Sequence, residues 1–350
     1  MQAFRILLIP LSWIYGTVTF FRNKCYDFGI FKSAEFSYPV ITVGNLSAGG
    51  TGKTPMVEYL VNLLHPNYAI ATLSRGYKRK SRGFYIADEN STALDIGDEP
   101  MQYKRKFPFL NVVVDANRKR GILQIKSYFQ KLDVIILDDA FQHRRIKAGL
   151  SIVLTDYSKL FFEDTLLPLG TLRESTSGIK RADIIIVTKT PANLSPIDKR
   201  IIIKKINTLD YQKIYFSYLS YGELVSVTSE MESLSEKSKI SVMLLCGIAN
   251  PAPLFEKLKS EFKEVIPQYF PDHYDFKAED ISKLSSQFER ISNPNKIVIT
   301  TEKDWMRLQK TELQELVKKL PLFYIPVRMD FIDKEKEEFN SQILNYVRTN

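Results

Sequence analysis

The feature that most constrains the fold is a glycine-rich segment placed between a predicted strand and a predicted helix. It consists of Ser47, Ala48, Gly49, Gly50, Thr51, Gly52, Lys53 and Thr54. The segment 38–43 before it is rich in β-branched residues, and apolar residues recur at helical spacing over 55–64. Glycines at the start of a helix let backbone N–H groups face an anion. The segment predicts a phosphate-binding loop, in which Lys53 reaches the β- and γ-phosphates of a nucleotide and the Thr54 hydroxyl holds Mg²⁺.

A second signal is an apolar segment that ends in two carboxylates. Residues 133–137 predict a buried strand, and Asp138 and Asp139 follow it directly. Carboxylates at the end of a strand beside a phosphate-binding loop hold Mg²⁺ directly or through water. An acidic turn without a metal is the structural alternative, and the glycine-rich loop upstream favours the metal site.

The order of the apolar segments indicates an α/β fold. Continuous apolar strands alternate with helical patterns, which is typical of a parallel sheet covered on both faces. We predict two α/β/α sandwich domains, the first a P-loop NTPase domain with a mostly parallel sheet. The predicted divisions are an N-terminal helix over 1–24, the first domain over 25–212, a short extended β linker over 213–239, and a smaller C-terminal domain over 240–350.

The net charge of the chain favours negatively charged partners but does not identify which one. Lys and Arg number 49 and Asp and Glu number 40, a formal charge of +9 that favours nucleotides, nucleic acid or an acidic membrane surface. The alternative interpretation is that the positive charge only keeps the chain soluble. Two distant cysteines and three histidines argue against a disulfide scaffold and against a metal site built from histidines.

The N-terminal segment Ile6–Phe21 is uncharged and rich in aromatic residues, with Arg5 before it and Arg22 and Lys24 after it. It has no small-residue cleavage site of a signal peptide. It is also shorter than the roughly 20 apolar residues that a membrane span needs. Aromatic residues flanked by cations favour a helix that lies in the bilayer interface. The alternative is an ordinary core helix.

Three further segments carry candidate chemistry. The basic loop 74–80 contains Arg75, which would bind phosphate oxygens if the loop is not simply solvated. Asp98 lies in a turn at a predicted helix start, where it would accept a proton from an acceptor hydroxyl or merely cap the helix. His273 lies among acids and aromatics in a predicted loop, where it would tune such a carboxylate or form only a local surface contact.

Taken in order, these segments resemble the tetraacyldisaccharide 4'-kinase family, the lipid A 4'-kinases, over almost the whole chain. The matching motifs are Val43-Gly44-Asn45-Leu46, Leu73-Ser74-Arg75-Gly76-Tyr77, Gly97-Asp98-Glu99-Pro100, Leu137-Asp138-Asp139-Ala140-Phe141-Gln142-His143-Arg144, Leu172-Arg173-Glu174, Gly247-Ile248-Ala249-Asn250-Pro251, Phe270-Pro271-Asp272-His273-Tyr274 and Thr301-Glu302-Lys303-Asp304. Each motif apart from the phosphate-binding loop is weak by itself, and their order makes the resemblance specific.

The resemblance implies an enzyme that transfers the γ-phosphate of ATP to the 4'-hydroxyl of tetraacyldisaccharide 1-phosphate, giving lipid IVA in lipid A biosynthesis. It implies ATP and Mg²⁺ as cofactors and an active site in the cleft between two α/β/α domains. It also implies a peripheral or monotopic location at the cytoplasmic face of the bacterial inner membrane. The expected partners are the lipid A disaccharide 1-phosphate and the anionic membrane surface, with no nucleic acid and no obligate protein partner.

The resemblance also assigns roles to residues. Asp98 matches the general base, and His273 matches the histidine that supports it, so that closure of the two domains would complete the site. Lys53 and the rest of Ser47–Thr54 match the phosphate-binding loop. The expected metal ligands are Thr54, Asp138, Asp139 and Glu174, and the expected substrate contacts are Arg75 and Tyr77. Ala140 and Lys78 stand where the family commonly has glycine.

Three other classes stay open at this point. A P-loop switch ATPase needs the two motifs but neither an acceptor base nor a lipid anchor. A nucleic-acid-dependent NTPase is suggested by charge alone, and the basic residues are dispersed rather than clustered on one helix. A kinase for a soluble small molecule would not require the apolar N-terminal segment.

Overall fold

A computed structural model describes residues 2–227, 236–248, 250–272, 274–309 and 311–350. The helices are α1 (Gln2–Asp27), α2 (Lys53–Leu64), α3 (Ala93–Ile96), α4 (Asp98–Lys106), α5 (Arg118–Tyr128), α6 (Pro196–Ile206), α7 (Ala252–Glu261), α8 (Ala278–Glu289), α9 (Glu302–Leu308), α10 (Thr311–Val317) and α11 (Glu335–Thr349). The strands are β1 (Val40–Asn45), β2 (Ile70–Ser74), β3 (Tyr85–Ile86), β4 (Asn111–Val114), β5 (Val134–Asp138), β6 (Leu150–Asp156), β7 (Ile184–Thr188), β8 (Lys213–Tyr221), β9 (Val225–Ser226), β10 (Ser241–Cys246), β11 (Glu264–Tyr269), β12 (Lys296–Thr301), β13 (Leu322–Ile325) and β14 (Val327–Phe331).

The larger sheet has the strand order β14-β8-β7-β6-β1-β5-β2-β4-β3. Its strands from β8 to β4 pair in parallel, and β3 is antiparallel to β4. Because the strands are parallel, their carboxyl ends lie at one edge of the sheet. The glycine-rich loop after β1 and the carboxylates after β5 therefore lie side by side, since β1 and β5 are neighbours.

Both faces of this sheet are buried, which explains why its strands are apolar throughout. One face packs in a core that includes Met56 and Leu60 of α2 and Phe339 of α11. The other face packs in cores that include Ile122 of α5 and Ile202 of α6. The predicted α/β class with a mostly parallel sheet is confirmed.

The chain divides into two compact units, of which the second is Ser220–Arg328. Its sheet has the order β11-β10-β12-β13-β9 and is parallel apart from β9. Leu254 and Leu258 of α7 pack in one core, and Ile281 and Leu284 of α8 pack in another.

The first unit comprises Met1–Leu219 and Met329–Asn350, so two predicted boundaries differ from the structure. Residues 329–350, predicted in the C-terminal domain, belong to the first unit, because β14 lies beside β8 and the Tyr346 hydroxyl contacts the backbone of Val40. The predicted linker also begins too early, because β8 is an internal strand of the larger sheet. Residues 228–235 of that linker lie outside the described residues.

Several elements differ from the sequence pattern. The apolar spacing over 304–319 predicts a single helix, whereas the structure has two helices there, α9 and α10. Helix α6 and strands β11 and β14 were not predicted. β11 contains Pro267 and only exposed or half-buried residues, so it lacks the continuous apolar pattern of the buried strands.

Helix α1 runs past Pro10 and is longer than the predicted apolar segment. In contrast to a core helix, it buries polar side chains and exposes apolar ones. Ser12 and Thr19 are buried, whereas Trp13 is 74% exposed and Phe21 is 62% exposed. The Ser12 hydroxyl donates to the carbonyl of Leu166 at 2.9 Å, so the polar side of the helix faces the protein. Among the described residues, none of the helices combines the length and hydropathy that crossing a membrane requires.

Candidate nucleotide and acceptor site

The glycine-rich loop has the backbone that its sequence requires. Gly49 has φ 124° and Gly52 has φ 89°, values that residues with a Cβ rarely adopt. Gly52 caps the start of α2, so the loop opens directly into a helix N-terminus. On its other side the Ala48 N–H donates to the carbonyl of Thr171 at 2.6 Å. The strand–loop–helix arrangement is the one that binds phosphate through backbone N–H groups.

The side chain of Lys53 points back across the loop. Its Nζ lies 3.5 Å from Oδ1 of Asn45, the last residue of β1. It also lies 3.9 Å from Oδ1 of Asp139. The lysine is thus held between the loop and the carboxylates after β5, where a polyphosphate would be bound.

Asp138, the last residue of β5, has a buried carboxyl group, and only one of its two oxygens is hydrogen-bonded within the described part of the chain. Its Oδ2 accepts a hydrogen bond from the Tyr103 hydroxyl at 3.1 Å. Its Oδ1 is buried with no hydrogen-bond partner among the described residues. Burial, followed by the negative charges of Glu99 and Asp139, raises the pKa of Asp138 to about 7.

The pKa of Asp139 is shifted in the opposite direction. This residue has φ 49°, and both its oxygens accept hydrogen bonds from Nη1 of Arg173, at 2.8 and 3.0 Å. Burial pushes its pKa upward, but the nearby charges of Lys53 and Arg173 outweigh burial and hold the pKa below its usual value. Two adjacent acids therefore differ in charge near neutral pH because only one has cationic partners in contact.

Glu174 is fully buried, and its carboxylate is already occupied. Arg181 donates to both of its oxygens at 2.9 and 2.8 Å, Gln142 donates at 3.1 Å, and Asn23 of α1 donates at 2.9 Å. Within the described part of the chain, no three acidic, histidine or cysteine side chains converge as a metal site. The expected role of Glu174 beside the metal stays a prediction. Its hydrogen bond with Asn23 connects α1 to this edge of the sheet.

The basic loop after β2 packs against the start of α4. Gly97 has φ 95°, and a Cβ there would lie 3.0 Å from the carbonyl oxygen of Tyr77. This close approach brings the loop that carries Arg75 and Tyr77 next to Asp98, the half-buried first residue of α4. Three residues predicted from separate motifs therefore lie in one region of the first unit.

His143, which follows the carboxylates after β5, lies within electrostatic range of four arginines. Burial, and then the charges of Arg118, Arg145, Arg75 and Arg22, lower the pKa of His143 to about 4. The group includes the 3% exposed side chain of Arg118, which donates to the carbonyl of Asp138 at 3.4 Å. We call the four arginines the arginine cluster. They come from α1, the loop after β2, α5 and the loop after β5, so no local pattern predicts that they meet.

Tyr103 and Arg173 were also missed as parts of the site. Tyr103 is fully buried in α4, and the burial together with the charge of Asp138 raises its pKa well above the usual value. A tyrosine in a helix is normally a core residue, and only its hydroxyl contact identifies a polar role. His273 lies outside the described residues. Asp272, which precedes it in sequence, pairs with Lys303 at 3.3 Å.

A parallel sheet with a glycine-rich loop opening a helix, and a buried acid at the end of the neighbouring strand, defines the P-loop nucleotide-binding class. Comparison with known proteins is more specific. Residues 4–348 match the model of the family described as LpxK, tetraacyldisaccharide-1-P 4'-kinase, and the chain belongs to this family. The resemblance inferred from the motifs is thereby confirmed.

Individual relatives agree over their full length. A tetraacyldisaccharide 4'-kinase of Bacteroides thetaiotaomicron is 47% identical, with 98% of this chain and 93% of the relative covered. One from Flavobacterium johnsoniae is 47% identical, with 100% and 99% covered. A crystal structure of LpxK from Aquifex aeolicus in complex with ATP is similar with a TM-score of 0.72 at 30% identity, over 98% of this chain and 99% of that one.

Proposed function

We propose that this protein transfers the γ-phosphate of ATP to the 4'-hydroxyl of tetraacyldisaccharide 1-phosphate to give lipid IVA. The observation that carries the proposal is the phosphate-binding loop beside Asp138 and Asp139, in a chain that belongs to the family over residues 4–348. The ATP in the Aquifex aeolicus relative supports ATP as the phosphate donor.

The loop and Lys53 bind and orient the donor. Backbone N–H groups of the loop and the start of α2 bind the α- and β-phosphates, and the Lys53 ammonium stabilises the negative charge of the β- and γ-phosphates. Arg173, held on Asp139, adds a cation at the same edge of the sheet. Phosphoryl transfer depends mainly on such positioning and charge neutralisation, so these groups supply most of the chemistry required.

A divalent cation fits this site, because the buried Oδ1 of Asp138 has no hydrogen-bond partner among the described residues. Thr54, Asp138 and Asp139 would hold Mg²⁺. When bound, Mg²⁺ neutralises charge on the phosphate oxygens. Asp138 must then give up its proton, which a nearby cation favours by lowering the pKa of the carboxyl group.

Asp98 is the proposed general base for the acceptor hydroxyl. It begins α4 beside the loop of Arg75 and Tyr77, and the same helix carries Tyr103, which binds Asp138. This carboxylate lies near the edge of the sheet that carries the phosphate-binding loop, and next to a basic loop. The arrangement suits an acceptor that has a hydroxyl group to be deprotonated and also carries a negative charge. The support of Asp98 by His273 stays a prediction from the family resemblance.

The arginine cluster is the proposed site for the phosphate that the acceptor already carries. Arg75 and Arg145 are exposed, and no ion pair occupies either of them among the described residues. Guanidinium groups bind phosphate through paired hydrogen bonds. His143, whose pKa burial and the neighbouring arginines lower to about 4, has a buried Nε2 without a partner in the described structure.

Helix α1 is the proposed attachment to the inner membrane at its cytoplasmic face. Its outward side chains include Leu11, Trp13, Ile14, Val18 and Phe21, all more than half exposed. A helix with this apolar side and flanking Arg and Lys residues binds the interface of an anionic bilayer. Because Arg22 of the cluster follows this apolar side, the acceptor headgroup would meet the cluster while its acyl chains stay in the bilayer.

The test is mass spectrometry of the full chain incubated with Mg·ATP and tetraacyldisaccharide 1-phosphate. We expect a product heavier by one phosphoryl group. Lys53→Ala should lower its rate by about 10²-fold or more, because a charge that stabilises the transferring phosphate is lost. Lys213→Ala, which removes an exposed lysine of β8, should leave the rate unchanged. ATP hydrolysis without a phosphorylated acceptor would instead indicate a P-loop switch ATPase.

A further inference from the structure

The end of one strand outside the glycine-rich motif contacts the phosphate-binding loop, and the end of the neighbouring strand supports it. β6 ends at Asp156, and β7 ends at Thr188, which Lys189 follows. β6 pairs in parallel with β1, and β7 pairs in parallel with β6. The carboxyl ends of these strands therefore lie beside the loop that begins where β1 ends.

The contacts at this edge are made to the loop backbone. The Thr188 hydroxyl donates to the carbonyl of Thr51 at 2.8 Å. The Lys189 ammonium donates to the carbonyl of Gly50 and pairs with Oδ2 of Asp156 at 2.7 Å. Two consecutive carbonyls of the loop are thus held from the same side, by side chains more than 130 residues away in sequence.

This contact has a consequence for the N–H groups. In a trans peptide the C=O and N–H bonds point in opposite directions. Holding the carbonyls of Gly50 and Thr51 towards the strand ends therefore turns the N–H groups of Thr51 and Gly52 away from them. The Thr51 N–H closes a tight turn on the carbonyl of Gly49 at 3.0 Å, and Gly52 begins the helix. The peptide orientations are fixed by the protein itself.

The clamping residues are themselves held in place. Lys189 has φ 57°, a left-handed conformation that residues other than glycine seldom adopt and that tends to occur at functional sites. Burial pushes the pKa of Asp156 upward, but hydrogen bonds from Lys189 and Ser158 outweigh burial and keep the pKa below its usual value. Asp156 therefore stays ionised and keeps the ammonium directed at the loop.

We propose that Asp156, Thr188 and Lys189 form a strand-end clamp that sets the peptide orientations of the phosphate-binding loop before a nucleotide binds. Thr188 and Lys189 are positioning residues for the phosphates, acting through the loop backbone. The inference rests on the proposed function, because it concerns how the ATP site of that kinase is organised.

The experiment is calorimetric titration of the full chain with Mg·ATP and Mg·ADP. Thr188→Val keeps the side-chain shape but removes the hydroxyl, and should weaken both affinities by about 5-fold. Lys189→Met removes the charged donor and should weaken both by about 10-fold or more. The losses should be equal for the two nucleotides, because the loop N–H groups serve the α- and β-phosphates that both contain. Lys189→Arg should retain most of the affinity.

The matched control is Lys199→Met, since Lys199 is also a partly buried lysine in an ion pair, with Glu335, but does not contact the loop. It should bind both nucleotides as the unchanged protein does. Thermal melting without nucleotide shows whether each variant is folded.

Three results would overturn the clamp. One is unchanged dissociation constants in folded Thr188→Val and Lys189→Met. Another is a fall in binding stoichiometry alone, which indicates a purely structural role. The third is a loss for Mg·ATP but not Mg·ADP, which would mean that Lys189 contacts the γ-phosphate directly. Failure of the proposed function is distinct, because the unchanged protein would then bind both nucleotides and form no phosphorylated acceptor.

Discussion

Two regions of the first unit are built in opposite ways. We call the phosphate-binding loop with Asp138, Asp139 and Tyr103 the donor side, and the arginine cluster with Tyr77 and the apolar side of α1 the acceptor side. On the donor side Asp138 and Tyr103 are buried and bonded to each other. On the acceptor side Arg75, Arg145 and Tyr77 are exposed.

The difference matches the two ligands of the proposed reaction. A nucleotide polyphosphate is small and uniform, so a site of fixed peptides and buried charges binds it without rearrangement. A lipid headgroup arrives at a membrane surface with its chains still in the bilayer, so its site must be open. The charged groups of the donor side are buried or half-buried, whereas Arg75 and Arg145 on the acceptor side face solvent, so their interactions are sensitive to salt.

The largest expected effect concerns the donor side and its pH dependence. Asp138 has a pKa of about 7 when folded and an ordinary value of 3.8 when unfolded. Between these values the folded state keeps a proton that the unfolded state loses, so the contribution of Asp138 to the free energy of unfolding should fall as pH rises from about 4 to 7. Without metal or nucleotide, this contribution should fall by an amount of the order of 4 kcal/mol. His143, whose pKa is lowered to about 4 on folding, contributes in the opposite direction over much of the same range. Urea unfolding in chelator at pH 4.5 and pH 7.5, carried out on the unchanged protein and on Asp138→Asn, isolates the Asp138 contribution.

Asp138→Asn should remove the fall caused by Asp138, because the amide does not titrate, so its stability should rise with pH relative to that of the unchanged protein. Asp210→Asn, at an exposed position, is the matched control and should keep the pH dependence of the unchanged protein. If Asp138→Asn and the unchanged protein lose stability equally between the two pH values, the donor side is not the source of the pH dependence.

A smaller effect is expected from the acceptor side. Arg75→Ala should raise the KM for tetraacyldisaccharide 1-phosphate by about 10-fold, because a charged hydrogen-bond donor to phosphate is lost. The KM for ATP and the melting temperature should not change, since the side chain is exposed. Steady-state kinetics with each substrate varied in turn provide the measurement. An equal rise in both KM values would contradict the division into two sides.

An effect similar in size to that of Arg75→Ala is expected from the apolar side of α1. Trp13→Ser should weaken binding to vesicles of anionic phospholipid by about 10-fold, from the lost burial of one large aromatic side chain. Binding of Mg·ATP should be unaffected, because Trp13 is 74% exposed in the protein. Vesicle sedimentation measures the partition, with Tyr211→Ser as a control for an exposed aromatic residue elsewhere. Equal loss in both variants would argue against α1 as the attachment.

The donor side was largely predictable from sequence, because its central parts are local. The glycine loop, the helix after it and the two acids after an apolar strand each lie within a dozen residues. Tyr103 and Arg173 were not predictable as partners of the two acids, since they reach Asp138 and Asp139 from positions 35 and 34 residues away in sequence. The spacing of residues along the chain does not predict such long-range contacts.

The acceptor side was predictable only in part. The loop of Arg75 and Tyr77 and the turn at Asp98 were recognised as motifs, and the contact between them follows from the backbone at Gly97. The apolar segment of α1 was visible in the sequence, and the predicted interfacial helix implies an apolar side that faces away from the protein. The contacts that hold its polar side on the protein, such as that of Ser12 with Leu166, were not predictable, because hydropathy does not identify the partner of a polar side chain. The observed contacts of Glu174 with Arg181 and Asn23 were likewise beyond sequence reasoning.

The return of residues 329–350 to the first unit has a consequence for synthesis of the protein. Phe339 and Ile343 of α11 are fully buried in the same core as Met56 and Leu60 of α2. They leave the ribosome only after the whole of the second unit, which lies between them and the rest of that core in the chain. The nascent first unit therefore waits with an uncovered apolar face, the kind of surface that chaperones bind. A ribosome that stalls within the second unit would leave a chain whose nucleotide-binding motifs are all present but whose fold is unfinished.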